Sequence, residues 1–154
     1  MPRRFIMKRV GSLVEGRKEI FFVESDQTVM DVARYMVEKR VGAVPVLSNG
    51  QLVGIFSERD LMTRVIVAGL SAETTKVGEV MTREVLVADA SESHDQCIRK
   101  MQQRKCRHLP VLSGGKLLGV VSLRDLLQVD LSEKDGELKM MSEYIHYVPE
   151  MKSN

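Results

Sequence analysis

The sequence predicts an α/β (α+β) fold of two β-α-β-β-α repeats, with small sheets packed together and helices outside. Three observations predict it. Residues 45–61 read PVLSNGQLVGIFSERDL and residues 110–126 read PVLSGGKLLGVVSLRDL, an ungapped offset of 65 with 11 of 17 positions identical. Self-similarity of that length is a statement about architecture. Each copy places Asn49-Gly50 or Gly114-Gly115 between apolar runs, the signature of a hairpin closed by a tight primed turn. Upstream, Val29, Val32, Ala33, Met36 and Val37 recur at helical spacing, and His94, Cys97, Ile98 and Met101 take the same positions in the second copy.

The elements follow in chain order. Residues 10–13 are a short entry segment, and Ile20, Phe21, Phe22 and Val23 form a first strand. Asp26 is suited to cap the helix that carries the Val29 stripe. Residues 43–47 and 52–56 are the hairpin strands. Gly54 and Gly119 lie inside the second strand of each hairpin, where glycine marks a bulge or the close approach of another backbone or a ligand. Ser57 starts a second helix that runs to about residue 67 and stops near Gly69. Residues 71–84 are polar and connect the copies. The second copy then has a strand at 85–87, Ser91 as cap, hairpin strands at 108–112 and 117–121, and a helix opened by Ser122. After Asp130 the copy ends, and Leu138, Met141, Ile145 and Val148 form one stripe of a last helix. The expected organisation is thus repeat 1 at 10–70, a linker at 71–84, repeat 2 at 85–130 and a C-terminal helix and tail at 131–154.

Composition sets bounds. At 154 residues, two 65-residue units must share surface, since one alone buries too little. Hydrophobic content of 44% with 29% charge suits a globular protein, and a net charge of +2 implies no polyanionic partner. No run is long enough to span a bilayer. Cys97 and Cys106 match no metal-ligand spacing and point to a reducing, cytoplasmic compartment. The first ten residues are basic without an apolar core, which excludes a secretory signal. They read as a basic arm, with a trimmed organellar (matrix) targeting segment as the alternative.

Several stretches then share one pattern: residues 41–46 (VGAVPV), 54–60 (GIFSERD), 77–82 (VGEVMT), 107–111 (RHLPV) and 119–125 (GVVSLRD). On these the chain resembles the tandem cystathionine-β-synthase (CBS) domain proteins, over residues 10 to 130. It looks like the stand-alone Bateman modules with a Ser-Glu-Arg-Asp motif. The resemblance implies paired repeats, adenosine-containing ligands in the clefts between them, and dimerisation of modules through helices. AMP is the first expectation, with ATP and NAD(H) as alternatives.

The motif Ser57-x-x-Asp60, repeated as Ser122-x-x-Asp125, has two compatible readings. It is a helix cap with an acid three residues on. It also sets a carboxylate beside a cleft, where its two oxygens can accept ribose hydroxyls and the helix start favours a phosphate. Arg59 and Arg124 are solvated helix residues or forks for phosphate. Arg64 reads as an i,i+4 partner of Asp60, with Val129 at its second-copy position. Gly42 and Ala43 are replaced by Arg107 and His108 in the second copy, so the clefts are expected to be unequal. Val44, Pro45, Leu109 and Pro110 offer apolar walls for a purine. His94 and His146 read as packing or surface residues, and residues 113–116 as a turn.

No nucleophile–base pair, metal cluster or carboxylate pair stands out, so no enzyme is expected. The preferred reading is a regulatory adenine-nucleotide-binding module, sensing energy or redox state. It changes shape or rigidity on binding and signals to a separate, unidentified protein. A scaffold with vestigial nucleotide sites is the alternative. A nucleic-acid binder is disfavoured by the lack of a basic helix face or aromatic platform.

Overall fold

The computed structural model describes residues 8–128, so the helix expected at 132–148 lies outside the described residues. The elements are α1 (Val10–Glu15), β1 (Val23–Glu24), α2 (Val29–Lys39), β2 (Ala43–Ser48), β3 (Gln51–Ser57), α3 (Glu58–Asp60), α4 (Val77–Val80), β4 (Ala88–Asp89), α5 (His94–Arg104), β5 (His108–Ser113) and β6 (Lys116–Ser122). A π-helical segment, Leu61–Ile66, continues α3, and residues 123–128 are helical after β6. Two three-stranded sheets result, ordered β1-β2-β3 and β4-β5-β6.

Both hairpins form where expected. Asn49 (φ 53°) with Gly50 (φ 78°), and Gly114 (φ 58°) with Gly115 (φ 81°), supply the paired positive φ values of a primed turn. Each hairpin shifts register next to its inner glycine, between Val46 and Leu47 in one and Val111 and Leu112 in the other. The expected bulge is therefore present. So is the close approach: a Cβ on Gly54 would lie 2.8 Å from the Thr82 carbonyl oxygen.

The first strands are shorter and later than the apolar runs suggest. Instead of 20–23 and 85–87, pairing starts at Val23 with Val46 and at Ala88 with Val111. Ile20 and Phe22 are partly exposed, and Phe21 packs edge-on against Tyr35. A strand needs a paired neighbour, and β2 offers one only from Val46 onward. The caps also fall two residues later than predicted. Thr28 and Ser93, not Asp26 and Ser91, accept the N3 amides of α2 and α5. Asp89 instead takes the Ser91 amide in the turn before α5.

Of the α2 stripe, Val29, Val32 and Met36 are buried, whereas Val37 is 79% exposed. At 100° per residue Val37 stands about 80° around from Val29, beyond the arc that faces the sheet. In α5, Cys97 and Met101 are buried on the matching arc, with Ile98 packed at its edge.

Residues 71–84, expected to be a polar linker, contain α4, whose Val77 is fully buried. Val77, Val80 and Met81 join Val23, Val32, Val44, Phe56 and Val65 in one core. The second core gathers Leu109, Val111, Val121, Leu126, Cys97 and Met101, and it is completed by Val10 and Val14 of α1. The two repeats have therefore exchanged helices. α1, at the head of repeat 1, docks on the second sheet through Val10 N–H to the Glu92 carbonyl and Gly11 N–H to the Ala90 carbonyl (2.8 and 2.9 Å). α4, at the head of repeat 2, docks on the first through Val77 N–H to the Gln27 carbonyl and Gly78 N–H to the Ser25 carbonyl (2.8 and 3.0 Å). A Cβ on Gly11 would lie 2.7 Å from the Ala90 methyl, so this docking depends on glycine. Burial of a side chain such as Phe56 or Leu109 is worth about 1.5–3 kcal/mol, and here it ties each half to the other.

Candidate functional site

The exchanged helices leave a cleft of about 910 Å³ between the halves. Its first-repeat wall is Arg17, Glu19, Ile20 and Phe21, with Arg40, Gly42, Ala43, Pro45 and Glu58; its second-repeat wall is Arg107, His108, Gly119, Val120 and the helix start at Ser122 to Asp125. The ends of β2 and β5 meet at its floor, where a Cβ on Gly42 would sit 2.5 Å from Glu58 Oε2 and 3.9 Å from His108 Nε2. Gly42 is thus the space that Glu58 occupies.

The predicted residues divide among three places. Gly42, Ala43, Pro45, Arg107, His108, Ser122, Arg124 and Asp125 line this cleft. Val44 and Leu109 are fully buried in the two cores, and Pro110 is buried in β5. Ser57, Arg59 and Asp60 stand outside the cleft wall, with Arg59 exposed.

Both Ser-x-x-Asp motifs form complete capping boxes. The Asp60 amide donates to Ser57 Oγ (3.1 Å) and the Ser57 amide donates to Asp60 Oδ2 (3.0 Å). The second copy repeats this at 2.9 and 3.0 Å. Each carboxylate also faces a guanidinium. Arg64 Nε lies 3.7 Å from Asp60 Oδ1, as its i,i+4 spacing predicts, and Arg17 Nη2 lies 3.0 Å from Asp125 Oδ2.

The halves differ at the sheet edge beside these pairs. Ile55 and Thr82 exchange both backbone hydrogen bonds (2.9 and 2.8 Å), which seals the edge of β3. At the matching position on β6, the Val120 carbonyl accepts from Arg17 Nη1. A backbone closes one side and a side chain occupies the other. The π-helical segment supports the sealed side: Val67 N–H bonds to the Met62 carbonyl five residues back, and Arg64 Nη1 donates to the Val80 carbonyl at 3.1 Å.

Four arginines (17, 40, 107 and 124) face Glu19, Glu58 and Asp125 around the cleft, so it can hold both an anion and a hydroxyl-rich group. Burial holds the His108 imidazole below its ordinary 6.5, opposed by the carboxylates of Asp125 and Glu58. At neutral pH it is an uncharged donor and acceptor. Sequence reasoning missed Arg17, Glu19, Phe21 and Arg40, because all four precede the repeated motif at 45–61. The run of apolar residues at 20–22, too long for the strand it feeds, was the signal for the first three, and the basic pair Arg40 and Lys105 at the same offset, both left-handed caps at helix ends, was the signal for the fourth.

The fold and the cleft define a class: a protein of paired, mutually braced repeats that enclose a site sized for a small molecule. The chain belongs to the CBS domain family, whose model matches residues 10–67 and 77–132, one match to each repeat. The CBS domain-containing protein CBSX3, mitochondrial, of Arabidopsis thaliana is 31% identical over 145 residues, covering 91% of this chain and 69% of that relative. The structure of a protein with CBS domains from Burkholderia ambifaria MC40-6 superposes with a TM-score of 0.77 at 33% identity, over 82% of this chain and 96% of that one. The CBS domain pair of protein MJ0100, solved in complex with 5′-methylthioadenosine and S-adenosyl-L-methionine, shares the fold with a TM-score of 0.73 at 22% identity, over 84% and 100% of the two chains. No helix among the described residues is long and apolar enough to cross a membrane.

Proposed function

We propose that the chain is a non-catalytic regulatory module that binds an adenine nucleotide in the cleft between its repeats and signals to a separate protein. One observation carries this reading: the cleft joins Ser122 and Asp125, at a helix start, with the arginines and apolar edges of both repeats. Its size, about 910 Å³, falls in the range of small-molecule sites. Asp125 would take ribose hydroxyls and the arginines a phosphate. AMP is the first candidate, then ADP, ATP and NAD(H). Because the cleft walls come from both halves, a ligand bridging them would alter their angle or stiffness, and a partner would read that change.

Exposed apolar side chains support assembly into a homodimer through helices. Val37 (79% exposed) on α2 and Met62, Ile66 and Val67 (61%, 63% and 80%) after α3 are the clearest. Light scattering showing a stable monomer at micromolar concentration would remove that part. We place the protein in the cytoplasm or an organellar matrix.

The test is calorimetry with AMP, ADP, ATP, NAD and S-adenosylmethionine on the wild type and on Asp125→Asn. Loss of the charge should cost about 1–3 kcal/mol of affinity, and the 2′-deoxy analogue should bind the wild type weakly. Equal affinity for ribo- and deoxyribonucleotides would show that Asp125 only caps its helix. A second reading, a scaffold with vestigial sites, draws on the sealed Ile55–Thr82 edge and the Arg64–Asp60 pair on the first-repeat side. No thermal shift with any of these compounds would favour it.

A further inference from the structure

We propose that Arg17 is a built-in competitor for the nucleoside end of this cleft, and that it selects for ligands carrying an anionic group. The inference rests on the reading of the cleft as a nucleotide site. Arg17 Nη2 pairs with Asp125 Oδ2 at 3.0 Å while Nη1 donates to the Val120 carbonyl. One guanidinium thereby fills both a carboxylate and an edge carbonyl, the acceptors that a ribose hydroxyl and a base amino group would use.

The pseudo-symmetric half shows why this contact is removable. There the edge residue Ile55 is held by two backbone bonds to Thr82, which follows the buried Val77, Val80 and Met81. Opening it would mean shifting a core segment. On the second side the edge is met by a side chain alone, while the Arg17 backbone is held separately, its N–H bonding to the Val14 carbonyl (3.1 Å) at the end of α1. Its side chain and that of Asp125 are 37% and 38% exposed, so the pair is a weak, partly solvated one. A ligand can displace the guanidinium without moving the chain.

The energetic effect of that displacement depends on the ligand. A neutral nucleoside strands the guanidinium in water. A phosphate-bearing ligand gives it a new partner within the same cleft, where Arg40, Arg107 and Arg124 also converge, and a planar fork suits that exchange. Arg17 therefore opposes adenosine and is neutral or helpful toward AMP.

The experiment is calorimetry of adenosine and AMP on the full chain and on Arg17→Met, with a thermal-melt double-mutant cycle of Arg17→Met and Asp125→Asn as a ligand-free arm. Arg17→Met should tighten adenosine about three- to tenfold, the scale of a lost exposed ion pair and one hydrogen bond, and leave AMP unchanged or weaker. The preference for AMP over adenosine should collapse. Weakening of both ligands alike, or no change in either, would overturn the proposal. Asp125→Asn keeps the capping acceptor and removes the charge, so Arg17→Met should lower the melting temperature of the wild type more than that of Asp125→Asn; equal losses would mean that the guanidinium is not held there and would also overturn it. If the losses differ yet no adenosine compound binds either protein, the nucleotide reading and the selectivity both fall, and only the intramolecular clasp stands.

Discussion

Replacing Gly54 by Ala tests the sealed edge directly. The new methyl would clash with Met81 Sδ and lie 2.8 Å from Met81 Cγ and 2.8 Å from the Thr82 carbonyl oxygen. Met81 can turn, but it is packed in the first core and 6% exposed. The Thr82 carbonyl can retreat only by stretching its bond from the Ile55 amide, at 2.9 Å. Overpacking of a filled core costs about 1–3 kcal/mol, and loss of the Ile55–Thr82 pair adds about 1 kcal/mol per bond. Two controls isolate the cause. Gly16 has open space around it and an ordinary φ of −78°, so Gly16→Ala should stay within about 0.5 kcal/mol of wild type. Gly50 also has open space but a φ of +78°, so Gly50→Ala should cost about 1–2 kcal/mol from backbone strain alone. Urea unfolding followed by circular dichroism gives all three midpoints. Adding Met81→Ala to Gly54→Ala removes two of the three contacts and leaves the carbonyl, so the coupling should be favourable and incomplete. A Gly54→Ala midpoint equal to that of Gly16→Ala would refute the close approach and, with it, the account of why the first-repeat side is shut.

Three further outcomes are expected. His108 is held below its ordinary 6.5 by burial, with Arg107 adding to the effect and Asp125 and Glu58 opposing it. The unfolded chain therefore takes up this proton first, so the contribution is complete above 6.5 and is lost as pH falls toward the lower folded value. Stability titrations from about pH 7.5 to 5 should slope down, and His108→Gln should flatten that slope; an identical slope would place the titration on another group. Burial first, then Glu92, pushes the Cys97 thiol up to about 11, so alkylation at about pH 8 should spare it until the chain unfolds. Ser93→Ala should cost about 1–2 kcal/mol of stability by thermal melt, because it removes the capping box that the buried Ser93 makes with Gln96, and Ser91→Ala should cost clearly less.

What the sequence made legible were the features that depend on neighbours in the chain. The two primed turns, the hairpin strands and the bulges beside Gly54 and Gly119 arise from local backbone preference and a 17-residue repeat. The features it hid depend on partners far along the chain. β1 begins at Val23 because β2 pairs with it from Val46, a fact that no feature of residues 20–22 records. Thr28 and Ser93 win the caps over Asp26 and Ser91 because the turns ahead of α2 and α5 use the earlier residues, as Asp89 does with the Ser91 amide. The stretch at 71–84 reads as polar on average, yet Val77, Val80 and Met81 sit three and one apart. That spacing suits one short helical turn docked on a distant sheet.

The site divides along the same line, and the division explains how two near-identical motifs come to face different surroundings. Ser57, Arg59 and Asp60 match Ser122, Arg124 and Asp125 residue for residue, and both sets build the same capping box. Their fates diverge outside the repeat. On the first copy, the carboxylate finds its arginine four residues on, at Arg64, and the strand edge finds a backbone, at Thr82. On the second copy the position matching Arg64 is Val129, and a single residue more than 100 positions away, Arg17, meets both needs with one side chain. A repeat predicts equal motifs. It does not predict equal sites, because a cleft is finished by whatever segment crosses it. Here the exchanged helices decide that. α4 leads a backbone onto the edge of β3, whereas the chain leaving α1 reaches β6 with the Arg17 guanidinium, a removable side chain where the other half has a sealed wall.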